Sequence, residues 1–159
     1  MNHANEETLV IEHAGLRLEV PQDAALRALL AKLGVVPPPI ATPLPLIGAQ
    51  WQGGIYAGLT IHDERPFGLI LLPGEFNGKW SPAVSWATEQ DGYLPSRFDQ
   101  LVLLKNLKAE FKPEWYWSAE RYAGDDAYAW NQSFGIGGQT SNHEDGDYRA
   151  RAVRRLTIQ

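Results

Sequence analysis

The chain contains no cysteine and a single methionine in 159 residues. Without thiols there is no disulfide framework, no zinc–thiolate site and no thiol nucleophile. Basic residues are the minority charge: 14 Lys and Arg against 19 Asp and Glu leave a formal net charge of −5. That balance is not the footprint of a nucleic-acid binder. Long apolar runs are missing as well. None approaches the roughly 20 residues that span a bilayer, so no membrane insertion is expected. The opening MNHANEETLV lacks the basic and apolar regions of a signal peptide, and a product without a secretory leader is expected. What the chain has in quantity is Trp (six), Gly (15) and Pro (11), which points to aromatic packing among many turns. The length suits one ordinary domain with a small appendage. Such a chain buries roughly two-thirds of its unfolded surface and folds without a metal or a disulfide.

The stretch with the most organisation is DGYLPSRFDQLVLLKNLKAEFKPEWYWS, residues 91–118. Asp91-Gly92 is a turn pair. Ser96 followed by Asp99 approximates a capping box. Phe98, Leu101, Leu104 and Leu107 recur at helical spacing, and Val102 and Leu103 widen the stripe, so the expectation is a helix buried along much of its surface. Pro113 is expected to end it. Trp115-Tyr116-Trp117 reads as a strand, with the Trp115 and Trp117 face meeting the helix.

Before this lies a module spanning residues 1–34. Leu9, Ile11, Leu16, Leu18 and Val20 alternate with polar residues as two short strands around His13-Ala14-Gly15. Pro21 then suits a helix start; Leu26, Leu29, Leu30 and Leu33 follow at i, i+3, i+4 and i+7, and Gly34 is placed to stop the helix. A hairpin plus one helix cannot bury its own apolar face. It must dock on the main domain or on another copy of itself, and the chain is expected to be a homo-oligomer. Residues 35–47, rich in proline, read as a semi-rigid linker, or alternatively as a proline-rich ligand for an aromatic groove.

Residues 48–159 read as the main domain. Trp51–Ile61 is a strand with a break at Gly53-Gly54, and Phe67–Leu72 a strand ended by Pro73-Gly74. Lys79–Thr88 reads as a short helix, capped by Ser81 with Pro82 in its first position and Val84, Trp86 and Ala87 inward. In Ala127–Phe134, Tyr128, Trp130, Gln132 and Phe134 share one side. A polar stretch, GIGGQTSNHEDGD, precedes a last strand, YRARAVRRLTI. The fold class is therefore α+β: two helices with a twisted antiparallel meander.

Taken together, GGIYAGL (53–59), FGLILLPGE (67–75), WSPAVSWA (80–87), DGYLPSRFDQL (91–101), WYWSAE (115–120), AYAWNQSFGIGG (127–138) and YRARAVRR (148–155) resemble the Lcl C-terminal domain family, within the C-type-lectin-like superfamily. The match covers about residues 50–157. The resemblance implies a C-type-lectin-like fold of the kind found in phage and prophage, similar to receptor-binding proteins diversified by retroelements. It also implies a ligand face built from the C-terminal strands and their loops. On that face lie Tyr128, Asn131, Ser133, Gln139, Ser141, Asn142, His143 and Tyr148, the candidate ligand-binding residues. Trp115, Trp117 and Trp130 are assigned to the core.

Several chemistries are excluded or disfavoured. The superfamily's formylglycine-generating oxidases need cysteines that this chain lacks. Calcium-dependent sugar binding uses a Glu-Pro-Asn loop and a Trp-Asn-Asp triplet; here Trp130-Asn131-Gln132 loses the carboxylate. Asn142, Glu144, Asp145 and Asp147 read as a solvated turn or, less fully spaced, a calcium loop. His62-Asp63-Glu64 is a lone triplet, and the hydroxyl of Ser96 is explained by capping. The arginines at 149, 151, 154 and 155 are expected to pair with acidic turns. No metal, cofactor or catalytic residue is assigned. The expectation is a non-enzymatic binding module for a protein or surface-glycan ligand, in the virion or the bacterial cytoplasm. The alternative is a virion or tail-assembly component packing on other virion proteins, and a remoter one is a hydrolase.

Overall fold

The structure, a computed structural model, describes residues 8–13, 16–21, 32 and 43–158. The chain divides into two compact units, Met1–Thr42 and Pro43–Gln159. In the first, β1 (Thr8–His13) and β2 (Leu16–Pro21) pair antiparallel. Their register sets Leu9 opposite Val20 and Ile11 opposite Leu18. The helix expected beyond Pro21 lies outside the described residues apart from Lys32, as does most of the expected linker.

The second unit is α+β, with two helices, a four-stranded sheet and a five-stranded sheet among the described residues. β3 (Gln50–Trp51) and β4 (Gly54–His62) form a hairpin, so the expected break is a tight turn. Its two central residues, Gln52 and Gly53, both have positive φ, as a two-residue hairpin turn matching strand twist requires. The same turn, made by Asp63 and Glu64, leads into β5 (Arg65–Leu71). β6 (Phe76–Gly78), α1 (Trp80–Glu89), α2 (Arg97–Asn106), β7 (Trp115–Arg121), β8 (Tyr128–Ser133), β9 (Gln139–His143), β10 (Tyr148–Ala150) and β11 (Val153–Thr157) follow. The four-stranded sheet is ordered β11-β5-β4-β3 and the five-stranded sheet β6-β10-β7-β8-β9.

The expected single last strand is two strands in two sheets. β10 lies between β6 and β7, parallel to β7, while β11 joins β5 antiparallel. The five-stranded sheet is therefore mixed, not a pure meander. Arg151 and Ala152 carry the chain across, and Leu72 N–H donates to Ala152 O at 2.9 Å to hold the crossing.

Both helices depart from their expected details. α1 has Lys79, not Ser81, at its N-cap, and no side chain caps it. The Trp80 N–H instead donates to Glu144 O, a carbonyl from the loop after β9. Pro82 sits within the first turn, where an N–H has no helical acceptor to lose. Ala83 and Ala87 are buried, and Val84 and Trp86 half-buried.

In α2 the capping box of Ser96 and Asp99 forms as expected. The buried side, however, is Asp99, Gln100 and Leu103, while Phe98 and Leu101 remain 47% and 46% exposed. The apolar stripe expected from spacing is thus displaced around the helix, because its inner face makes specific polar contacts to β4 and β7. Asp99 accepts from Thr60 Oγ1 at 2.6 Å, and Gln100 Nε2 donates to the carbonyls of Tyr116 and Trp117. Pro113 does not end the helix. α2 stops at Asn106, and a 3₁₀ turn over Lys108–Glu110 intervenes.

Nor does the Trp117 face of β7 meet α2. Trp117 packs in one core cluster with Ala83 and Ala87 of α1, whereas Leu103 and Leu107 pack with Tyr116 and Phe134 in the other. Phe111 stacks on Phe134 at 3.8 Å between centroids and closes that second cluster.

Candidate functional site

β8 and β9 pair through five consecutive positions, from Tyr128–His143 to Gln132–Gln139. Strand alternation puts Tyr128, Trp130, Gln132, Gln139, Ser141 and His143 on one face, and Ala129, Asn131, Thr140 and Asn142 on the other; Gln132, although on the first face, is fully buried. The structure divides the candidate ligand residues accordingly. Gln139, Ser141 and Asn142 are half-buried and His143 is exposed. Tyr128 is half-buried and meets the His143 ring edge-on at 5.3 Å.

Asn131 and Ser133 are corrections: they are 0% and 3% exposed and cannot meet a ligand. They point into the fold because the period of two sets them beside Ala129 on the inner face. Asn131 Oδ1 accepts from Asn142 Nδ2 at 3.2 Å, and Ser133 Oγ accepts from Ile136 N–H at 3.2 Å to shape the β8–β9 turn. Tyr148, on β10, is set apart from the hairpin and packs edge-on against Trp117 at 4.9 Å.

The outward face contains residues that spacing did not single out. Arg97, the first residue of α2, lies over the Trp130 ring, with Cζ 3.6 Å from its centroid. Arg97 Nε donates to Gln139 Oε1 at 3.0 Å, and Gln139 Nε2 donates back to Arg97 O at 2.9 Å. Tyr122, 41% exposed, meets Trp130 edge-on at 5.8 Å. Trp130 is therefore a half-exposed platform rather than core, as is Trp115 in its degree of burial; only Trp117 is fully buried. The Arg97–Gln139 pairing spans 42 positions, and no local motif announces it.

The acidic loop beside this face is paired rather than open. Glu144 accepts from Arg121 Nε at 2.7 Å and Nη2 at 3.3 Å, and Asp145 meets Lys79 Nζ at 3.2 Å. Among the described residues no group of three or more His, Asp or Glu is placed to hold a metal ion. His62 is at the tip of the β4–β5 hairpin, 3.4 Å from Asp63.

The C-terminal arginines are more deeply used than pairing with acidic turns implies. Arg155 binds the fully buried Asp99, and Arg154 pairs with Asp91 at 2.9 Å. Arg149 joins Glu75 and Glu114, with Lys112 and Tyr116 completing that cluster. Burial works to raise the Glu75 pKa. The Tyr116 hydroxyl, the Lys112 ammonium and the Arg149 guanidinium outweigh it and hold the carboxyl below its usual value. Burial, with Glu75 as hydrogen-bond partner, pushes Tyr116 up to about 12.

Arg151 has no such carboxylate among the described residues: its Nη1 and Nη2 donate to the carbonyls of Glu110 and Leu72. A recess of about 140 Å³ borders it, lined also by Gln50, Gly54, Leu72 and Pro73, and includes none of the candidate ligand residues.

No protein-family model matches this chain, and no curated protein matches it.

Proposed function

We propose that residues 48–159 form a C-type-lectin-like domain of the Lcl C-terminal type. In this reading it is a non-enzymatic phage or prophage module that binds a protein or surface-glycan ligand, from the virion or within the bacterial cytoplasm. The observation that carries it is the outward face of the β8–β9 hairpin. There half-buried Tyr128 and Trp130, exposed Tyr122 and His143, and the small polar Gln139 and Ser141 share one surface. Aromatic anchors among short hydrogen-bonding side chains are the composition of an adaptable binding surface.

The use of the reactive groups supports binding over hydrolysis. The Ser96 hydroxyl is committed to the helix cap, and the acidic loop is committed to Arg121 and Lys79. A second reading, an assembly component packing on other virion proteins, draws on Leu59 and Ile61 of β4, which are 51% and 57% exposed.

Retention on bacterial envelope fractions separates the two. The wild-type chain is expected to be retained, and Gln139→Ala with Ser141→Ala and His143→Ala to be lost from the fraction while melting normally. Periodate or protease treatment of the envelope then tells glycan from protein. Co-purification with virion proteins, untouched by the triple substitution, would overturn the binding reading. We also assign self-association to residues 1–34, because a two-stranded hairpin is marginal alone. Light scattering showing only monomers would sink that assignment.

A further inference from the structure

β9 ends the five-stranded sheet, so one of its sides has no strand beside it among the described residues. Which backbone groups face that side follows from the ladder. Ser133 N–H donates to Gly138 O at 2.9 Å, and Glu144 N–H donates to Ala127 O at 2.8 Å. Antiparallel ladders alternate bonded and non-bonded pairs. Between those two bonds, Asn131–Thr140 and Ala129–Asn142 are therefore the bonded pairs, and Gln132–Gln139, Trp130–Ser141 and Tyr128–His143 the non-bonded ones. The N–H and C=O groups of Gln139, Ser141 and His143 thus project from the free edge. Of these, the His143 carbonyl is used locally, accepting from Gly146 N–H at 2.9 Å.

Proteins usually guard such an edge with lysine, proline or a bulge. β9, Gln-Thr-Ser-Asn-His, has none of them, and its pairing with β8 runs without a register shift. The outer edge of β4 is treated differently: Asn106 Nδ2 donates to Ala57 O at 2.7 Å, and Gly48 and Ala49 bond Tyr56.

The second observation is the charge beside this edge. Arg121, Arg149, Arg154 and Arg155 each have a carboxylate partner. The Arg97 guanidinium has none within ion-pairing distance among the described residues, the Glu120 carboxylate accepting from the Arg97 backbone N–H at 2.8 Å instead, yet it is locked over Trp130 and against Gln139, a residue of β9 itself. A held guanidinium with unfilled donors is preorganised for a planar carboxylate.

We infer that the β9 edge docks an extended peptide segment of a partner protein, added as a further strand, with an Asp or Glu side chain paired to Arg97. Main-chain bonds to Gln139, Ser141 and His143 supply register, and the carboxylate supplies selectivity. A side chain opposite Ser141 or Gln139 lies about 5 Å away, on the same face as the guanidinium. The inference rests on the binding-module reading and narrows it to one partner chemistry.

The test is selection of a displayed library of short extended peptides on the whole protein, on Arg97→Gln and on Ser141→Pro. Proline at 141 removes an N–H only from the free edge, where proline is tolerated, and a thermal melt checks that the variant folds. Enriched peptides are expected to share an acidic residue. They should bind wild type about tenfold or more tightly than Arg97→Gln, the loss of one charge-assisted pairing. They should also fail on Ser141→Pro and protect the Ser141 amide from hydrogen exchange in wild type. Enrichment without an acidic residue, or binding indifferent to both substitutions, would overturn the inference. So would a dimer abolished by Ser141→Pro, since a second copy would then fill the edge. If no peptide is enriched while envelope glycans are still retained, the edge inference falls and the binding-module reading stands.

Discussion

Asp99 ties three parts of this domain together. Its carboxylate is fully buried and serves three donors at once: the Ser96 backbone N–H, the Thr60 hydroxyl and the Arg155 guanidinium. It therefore caps α2, ties that helix to β4 and anchors the C-terminal strand. Asp99→Ala leaves a mostly buried arginine without its counter-charge, so a loss of about 3–5 kcal/mol is expected in urea denaturation. A loss below about 1 kcal/mol would show that solvent reaches Arg155 and replaces the partner.

Glu75 sets a pH dependence of definite sign. Its folded-state pKa lies below the ordinary 4.5, so its contribution to stability is present above that value and is lost as pH falls through the lowered one. Glu75→Gln should lower the melting temperature at neutral pH, and the gap from wild type should close in buffers more acidic than the ordinary value. A gap that stays constant into acid would remove Glu75 from the account.

At the scale of elements, α2 shows how a periodic pattern can name a helix and misplace its buried side. Leucine spacing located the helix and Ser96 with Asp99 located its start, because both signals are local. Which side is buried was decided by Thr60, Tyr116 and Trp117, contributed by strands elsewhere in the chain. The mutational consequence is specific. Leu103→Ala, at a position of 0% exposure, should cost about 2–5 kcal/mol, whereas Phe98→Ala and Leu101→Ala should each cost about 1 kcal/mol or less. Chemical denaturation of the three variants checks the ranking, and equal losses would restore the stripe read from spacing. In the same way the alternation of β8 was legible, but only the packing of its inner face revealed that Asn131 and Ser133 are interior. Arg97 could not be found from local sequence at all, since its partners Trp130 and Gln139 lie on a distant hairpin.

At the scale of the molecule, the second unit begins earlier than the proline pattern implies. Leu44 packs against the core, and Leu46 O accepts from the Ala49 N–H at 3.0 Å, so the last residues of the expected linker are part of this unit. A chain starting at Pro43 should unfold in one cooperative step. A chain starting at Ala49 should be less stable by on the order of 1–2 kcal/mol, the value of a partly buried leucine and its associated bond. Equal melting temperatures for the two would return residues 43–47 to the linker.

The sequence by itself determined the element types: the α+β class, the cap of α2 and the strand alternation. Each of these is a preference of a few neighbouring residues for a backbone shape. Only the tertiary structure decided that one apparent C-terminal strand divides between two sheets, that β10 lies parallel to β7, and that Arg97 stands beside β9, the last strand of its sheet among the described residues. Those are outcomes of which distant surfaces cover one another, and no pattern confined to one stretch of chain can encode the identity of its partner.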